Sequence, residues 1–163
     1  MADDYDSPWK DVIEQYFDQF LAFFFPHIYD AIDWTRGYES LDTELQQVVR
    51  EADLGKRLAD KLMGVWRHDG ESQWVLIHIE VQGGYDATFE QRMFVYYYRL
   101  FDRHQRPLCS LAVLGDERPG WRPHRYQANL WKCEISLQFP MVKLVDYNND
   151  WDRLETSDNV FAI

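Results

Sequence analysis

Only two cysteines stand among the 163 residues, Cys109 and Cys133, far apart in the chain. Neither the closely spaced pairs of a zinc site nor a disulfide framework is present, so both are expected to be buried, reduced thiols. No basic leader precedes an apolar stretch, and the longest apolar run, "FLAFFF" at 20–25, is far too short to span a bilayer. The expectation is a soluble protein of the cytoplasm with no membrane partner. Internal repeats and low-complexity tracts are absent. Basic residues are scarce: 17 Lys and Arg against 28 Asp and Glu leave a net charge of −11, which argues against a protein that coats nucleic acid non-specifically. No Ser or Cys is arranged with a His base, so a metal-independent hydrolase has no support.

What is present is a packed globule. With 46% hydrophobic and 17% aromatic residues, the chain is expected to form one domain over 1–163. The charge is uneven: residues 87–133 hold eight Lys and Arg against four Asp and Glu, so a local basic face stays open.

Ser7-Pro8 suits a helix start, and Trp9, Val12, Ile13, Tyr16, Phe17, Phe20, Leu21 and Phe24 follow the spacing of one amphipathic helix, stopped by Pro26. Residues 27–58 are ambiguous. "ELQQVVREADLGKRL" reads as a short helix broken at Gly55, while Thr43, Val48 and Val49 leave a strand open. A strand over 59–68, the Asp69-Gly70 turn and a second strand over 73–82 make a hairpin. Gly83-Gly84 ends it, and Asp86 or Thr88 caps a long helix with Phe89, Met93, Tyr97 and Leu100 as its apolar stripe and Arg92, Tyr96, Arg99 and Arg103 beside them. Strands follow at 107–115 and within 133–147, separated by the loop "DERPGWRPHRY". The order predicts an α/β domain with a mixed central sheet flanked by helices.

In "WVLIHIEVQGG", Val75, Ile77, Ile79 and Val81 alternate with Trp74, Leu76, His78, Glu80 and Gln82, so one strand face turns polar toward its end. Asp60 and Glu80 stand ten residues to either side of Gly70. The hairpin therefore sets them opposite each other on one face, where two carboxylates need a cation or a proton between them. Carboxylates on adjacent strands suit Mg²⁺, with Mn²⁺ as a substitute, and point to phosphodiester hydrolysis through a metal-activated water. Gln82 is placed to orient water or phosphate but carries no charge. His78 reads as a hydrogen-bonded structural group. Arg92 and Tyr96, one helical turn apart, are candidates for holding a substrate phosphate; the competing reading is a solvated arginine beside a core tyrosine.

Asp60 before the first strand and "HIEVQ" ending the second resemble the D…E-x-Q signature of the recombination-promoting nuclease (Rpn) and putative transposase family, a branch of the PD-(D/E)XK nuclease superfamily. The likeness extends through "DSPWKDVIEQYFDQFLAFFFP", "RMFVYYYRLFDR" and "SLAVLGDERPGWRP". It implies a restriction-endonuclease-like core, Mg²⁺-dependent DNA cleavage, Asp60, Glu80 and Gln82 as active-site positions, and the Val81 carbonyl as a further metal ligand. The superfamily usually has Lys where this chain has Gln82, although the Rpn-like branch carries Gln. It often adds a carboxylate from a preceding helix, for which Glu14 and Glu44 both qualify. Relatives continue into further helix beyond "SDNVFAI", which would make this chain a fragment or short form. The rival expectation is a catalytically silent member of the same fold, kept as an interaction or assembly module, and a homo-oligomer stays open.

Overall fold

The computed structural model describes residues 3–52 and 59–149. Helices α1 (Asp3–Gln15), α2 (Phe17–Phe24) and α3 (Pro26–Ala31) lead into a short strand β1 (Tyr38–Ser40) and helix α4 (Asp42–Ala52). Strands β2 (Ala59–Arg67) and β3 (Gln73–Gln82) form the hairpin, helix α5 (Phe89–His104) crosses back, and β4 (Leu108–Leu114) follows. Strands β5 (Arg125–Leu130), β6 (Cys133–Gln138) and β7 (Met141–Lys143) complete the order. The main sheet runs β1-β2-β3-β4-β7, antiparallel up to β3 and parallel from β3 through β4 to β7; among the described residues β5 and β6 pair only with each other. The mixed α/β architecture is the one the sequence pattern predicts.

Period-two alternation divides the sheet into two apolar faces. Met63, Val65, Ile77, Ile79, Val81, Leu111 and Val113 take the aromatic side of α1 and α2, with Ile13, Phe17, Phe20 and Leu21 fully buried. Leu62 and Leu76 on the opposite face meet α4 through Leu45 and Val48 and α5 through Tyr96 and Leu100. Among the described residues no helix is long and apolar enough to cross a membrane.

Several expectations change. The amino-terminal helix is two helices broken at Tyr16 (φ −123°, ψ 41°), yet Phe17, Phe20 and Phe24 stay buried, so the apolar spacing did not register the break. Helix α1 begins at Asp3, placing Ser7-Pro8 inside it, and Pro26 opens α3 besides ending α2. Residues 42–52 are helical, which settles Thr43, Val48 and Val49 against a strand: Leu45, Val48 and Val49 recur on one buried helical face. Gly55 lies outside the described residues. In α5 the buried stripe is Phe89, Met93, Tyr96 and Leu100, joined by Arg92, while Tyr97 is only half-buried. The loop over 116–126 yields its end to β5. Cys133 is exposed on β6; Cys109 is half-buried against the first core, and burial pushes its thiol up to about 11, so it is protonated at neutral pH.

Gly64 carries a packing constraint. A Cβ there would overlap Trp74 Cζ2, because the Trp74 ring covers the glycine beside its cross-strand partner Trp66. Gly64→Ala is therefore expected to destabilise the fold by about 1–3 kcal/mol, since the indole must leave its place. Thermal unfolding with near-ultraviolet dichroism checks this; an unchanged melting temperature would show that the ring relocates freely.

Candidate metal-binding carboxylate site

The register of the hairpin puts Asp60 directly opposite Glu80, the geometry expected from their distances to the turn. Burial is nearly complete, Asp60 at 1% exposure and Glu80 at 0%, so both carboxylates are held away from bulk water. Such groups persist in a fold only with partners. Glu80 Oε1 lies 3.3 Å from His78 Nε2, and His78 Nδ1 lies 3.2 Å from Ser110 Oγ on β4. Facing a carboxylate, Nε2 is the donor. Tyr96 packs its edge against the His78 ring at 5.8 Å. Histidine 78 thus has the hydrogen-bonded role expected of it, with the added detail that one of its partners is Glu80 itself. The second oxygen, Glu80 Oε2, is buried and has no hydrogen-bond partner among the described residues.

Asp60 has a cation beside it that sequence spacing did not reveal. Lys10 of α1 brings Nζ to 3.6 Å from Asp60 Oδ1. Its helical neighbour Glu14 turns elsewhere, to Lys61 at 3.4 Å, and Lys61, fully buried, donates to Asp42 at the start of α4. Asp42 also accepts from the Leu62 amide at 3.2 Å, which fixes α4 to β2. Glu44 lies near His104. Neither upstream candidate joins the pair: among the described residues no set of three or more His, Cys, Asp or Glu gathers as metal ligands.

Gln82, 7% exposed, spends its amide on the protein. Its Oε1 accepts from Arg92 Nη2 and its Nε2 donates to the Gly84 carbonyl at 2.9 Å. Arg92, 1% exposed, donates through Nη1 to Asp86 Oδ2 at 2.8 Å. Asp86 in turn accepts from the Thr88 amide and hydroxyl, closing the turn before α5; Thr88 makes no side-chain cap. Burial acts to raise the Asp86 carboxyl, but the Thr88 bonds and the Arg92 charge together hold it below the usual carboxylate range. Arg92 is therefore neither the solvated arginine nor an open phosphate ligand: its guanidinium bridges β3 to the 83–88 turn. Tyr96, fully buried, lies against His78 on the same face. The Val81 side chain packs in the opposite core.

The arrangement is a polar seam, Asp60, His78, Glu80 and Gln82, along one otherwise apolar sheet face. Two carboxylates opposite each other, with one buried oxygen lacking a donor, fit a hard cation, which takes oxygen ligands and completes its shell with water. The seam also offers Lys10 as a fixed positive charge. A scan of protein-family models, a search of curated proteins and a search of solved structures each find no match to this chain.

Proposed function

We propose that the chain is a Mg²⁺-dependent DNA endonuclease of the Rpn-like type, with a restriction-endonuclease-like core and a cytoplasmic site of action. The observation that carries the reading is the opposition of buried Asp60 and Glu80 across the β2–β3 ladder. Direct opposition of like charges is unfavourable in a sheet unless a cation or a proton intervenes, and Lys10 stands at the Asp60 side of the pair. Asp60, Glu80 and the Val81 carbonyl would hold Mg²⁺ or Mn²⁺, with water and substrate oxygen filling the rest of the shell. When bound, the ion neutralises charge on the scissile phosphate and lowers the pKa of a coordinated water. His78 fixes the Glu80 carboxylate through Oε1, which leaves Oε2 for the ligand. Gln82 and Arg92 fix the strand end against the 83–88 turn, and Lys10 supplies the cation that Gln82 cannot.

Burial of the same two carboxylates favours a second reading, a nuclease-like fold without catalysis that serves as an interaction or assembly module, as a homo-oligomer or with another protein. One assay separates them: nicking of supercoiled plasmid with Mg²⁺, Mn²⁺, Ca²⁺ or chelator, alongside calorimetric Mg²⁺ binding. Nicking that needs Mg²⁺ or Mn²⁺ and vanishes in Asp60→Ala and Glu80→Ala is expected. Equal inertness of all three proteins with no heat of metal binding would transfer the case to the silent module.

A further inference from the structure

The β5–β6 pair stands apart from the main sheet, sharing no hydrogen-bonded strand with it among the described residues. Its two faces differ in kind. The cross-strand pairs Arg125–Gln138, Gln127–Ser136 and Asn129–Glu134 make one face, and all six side chains are exposed. The pairs Tyr126–Leu137, Ala128–Ile135 and Leu130–Cys133 make the other. That second face is anchored at its base, where Tyr126 stacks on Phe94 of α5 at 4.7 Å and Leu137 packs with the cluster of Phe89, Met93 and Phe139. The polar face consequently points away from the domain. At the far end a tight turn with Trp131 at φ 52° and Lys132 at φ 70° presents an indole that is 90% exposed.

We propose that this ribbon is a reading head for duplex DNA, its polar face directed at base edges in the major groove. Each strand of six residues at ~3.4 Å per residue gives a ribbon about 20 Å long, and a two-stranded ribbon is an element that the major groove admits. The residue types match the groove's donor and acceptor code: Arg for guanine, Gln and Asn for adenine, Glu for the cytosine amino group. Charge agrees as well. On the ribbon itself Arg125 and Lys132 stand against Glu134, and the loop before it adds Arg118 and Arg122 beside Glu117, with Arg122 bound to Asp146 at 2.7 Å. This is a local reversal in a chain of net charge −11. Lys132 at the turn lies where a flanking phosphate passes, and Trp131 offers an apolar contact at the same end.

The ribbon is mounted beside the carboxylate seam. The loop that leads into it adjoins the carboxyl ends of β3 and β4, where the Gly115 amide donates to the Gln82 carbonyl at 2.8 Å and Trp121 packs on Tyr85 at 5.1 Å, and the ribbon closes at its base where the Phe139 amide donates to the His124 carbonyl at 2.9 Å. The inference rests on the nuclease reading for its choice of DNA, and it assigns recognition to an element separate from the cutting residues.

The test uses the full chain in chelator, with a pool of random duplexes from which bound molecules are selected and sequenced, and with anisotropy titrations on the enriched sequence. Wild type is expected to enrich a motif and to prefer duplex over single strand. The double variant Gln127→Ala/Asn129→Ala is expected to lose the motif and bind it about tenfold more weakly. Lys132→Ala is expected to weaken all duplexes alike and to flatten the salt dependence. These positions are exposed, and circular dichroism verifies the fold. An unchanged motif in the double variant, or no duplex binding by wild type, overturns the proposal. So does Trp131→Ser converting a dimer to a monomer with duplex binding intact, because the ribbon is then a self-association surface. Plasmid nicking by the same preparations separates the two readings. Ribbon-dependent binding without metal-dependent nicking overturns the nuclease alone, and nicking with ribbon-independent binding overturns the reading head alone.

Discussion

Lys143→Ala is expected to cost about 3–5 kcal/mol of folding stability, the range for breaking a buried ion pair from one side. Lys143 ends β7 with no exposure, and its ammonium donates to Asp116 Oδ1 at 2.7 Å and Oδ2 at 2.8 Å. It also donates to the carbonyls of Arg118 and Trp121, each at 2.7 Å. Among the described residues Asp116, 7% exposed, keeps only the Arg118 amide at 2.9 Å if the lysine is removed. A carboxylate and two carbonyls would then be left without their cation. The double variant Lys143→Met/Asp116→Leu removes both charges and is expected to recover part of the loss, not all, because the carbonyls stay unsatisfied. Equilibrium denaturation of the three proteins measures both steps. A loss below about 1 kcal/mol for Lys143→Ala would mean that water enters and resolvates the loop. The loop in question, 115–124, leads directly into β5, so the same lysine sets the base from which the ribbon projects.

The hairpin was legible because two local signals agreed: period-two alternation in "WVLIHIEVQ" and the Asp69-Gly70 turn. Together they placed Asp60 opposite Glu80, and the ladder has that register. Helix α5 was legible in extent but not in facing. Tyr96 and Tyr97 are chemically alike, and only the sheet beneath decides that Tyr96 takes the core position, with Arg92 buried beside it. Long-range pairings left less trace. Lys10 reaches Asp60 across 50 positions of sequence, and no spacing rule links a helix lysine to a strand carboxylate. The signal that was available for Arg92 is the polarity of Gln82: a buried amide at the end of an apolar strand needs a donor and an acceptor, and the next helix presents a guanidinium. β5 was hidden by the Pro, Gly and Arg content before it, and its residues alternate Tyr126, Ala128, Leu130 too weakly to separate from loop.

Glu80→Gln is expected to lower metal-dependent cleavage by about a thousandfold or more while leaving the protein as stable as wild type, or more stable by about 0.5–2 kcal/mol. The two effects have one cause. Wild type holds two carboxylates opposite each other with nearly no solvent access, an arrangement that folding alone does not favour. Glutamine is isosteric and its carbonyl oxygen still accepts from His78 Nε2, so the seam loses one of two opposed charges and keeps that hydrogen bond. On the proposed nuclease reading, what it loses is the second negative charge that would hold a divalent ion, and with it several kcal/mol of stabilisation of charge at a reacting phosphate. Metal gives the independent readout. Saturating Mg²⁺ is expected to raise the melting temperature of wild type, by the stabilisation that any ligand confers on the state that binds it, and to leave the variant unmoved. A variant that melts lower than wild type without metal would indicate that the Glu80 charge serves the fold. Equal metal stabilisation of both proteins would place the ion elsewhere. Stability that rises as activity falls is the signature of a polar seam retained for chemistry at the expense of packing.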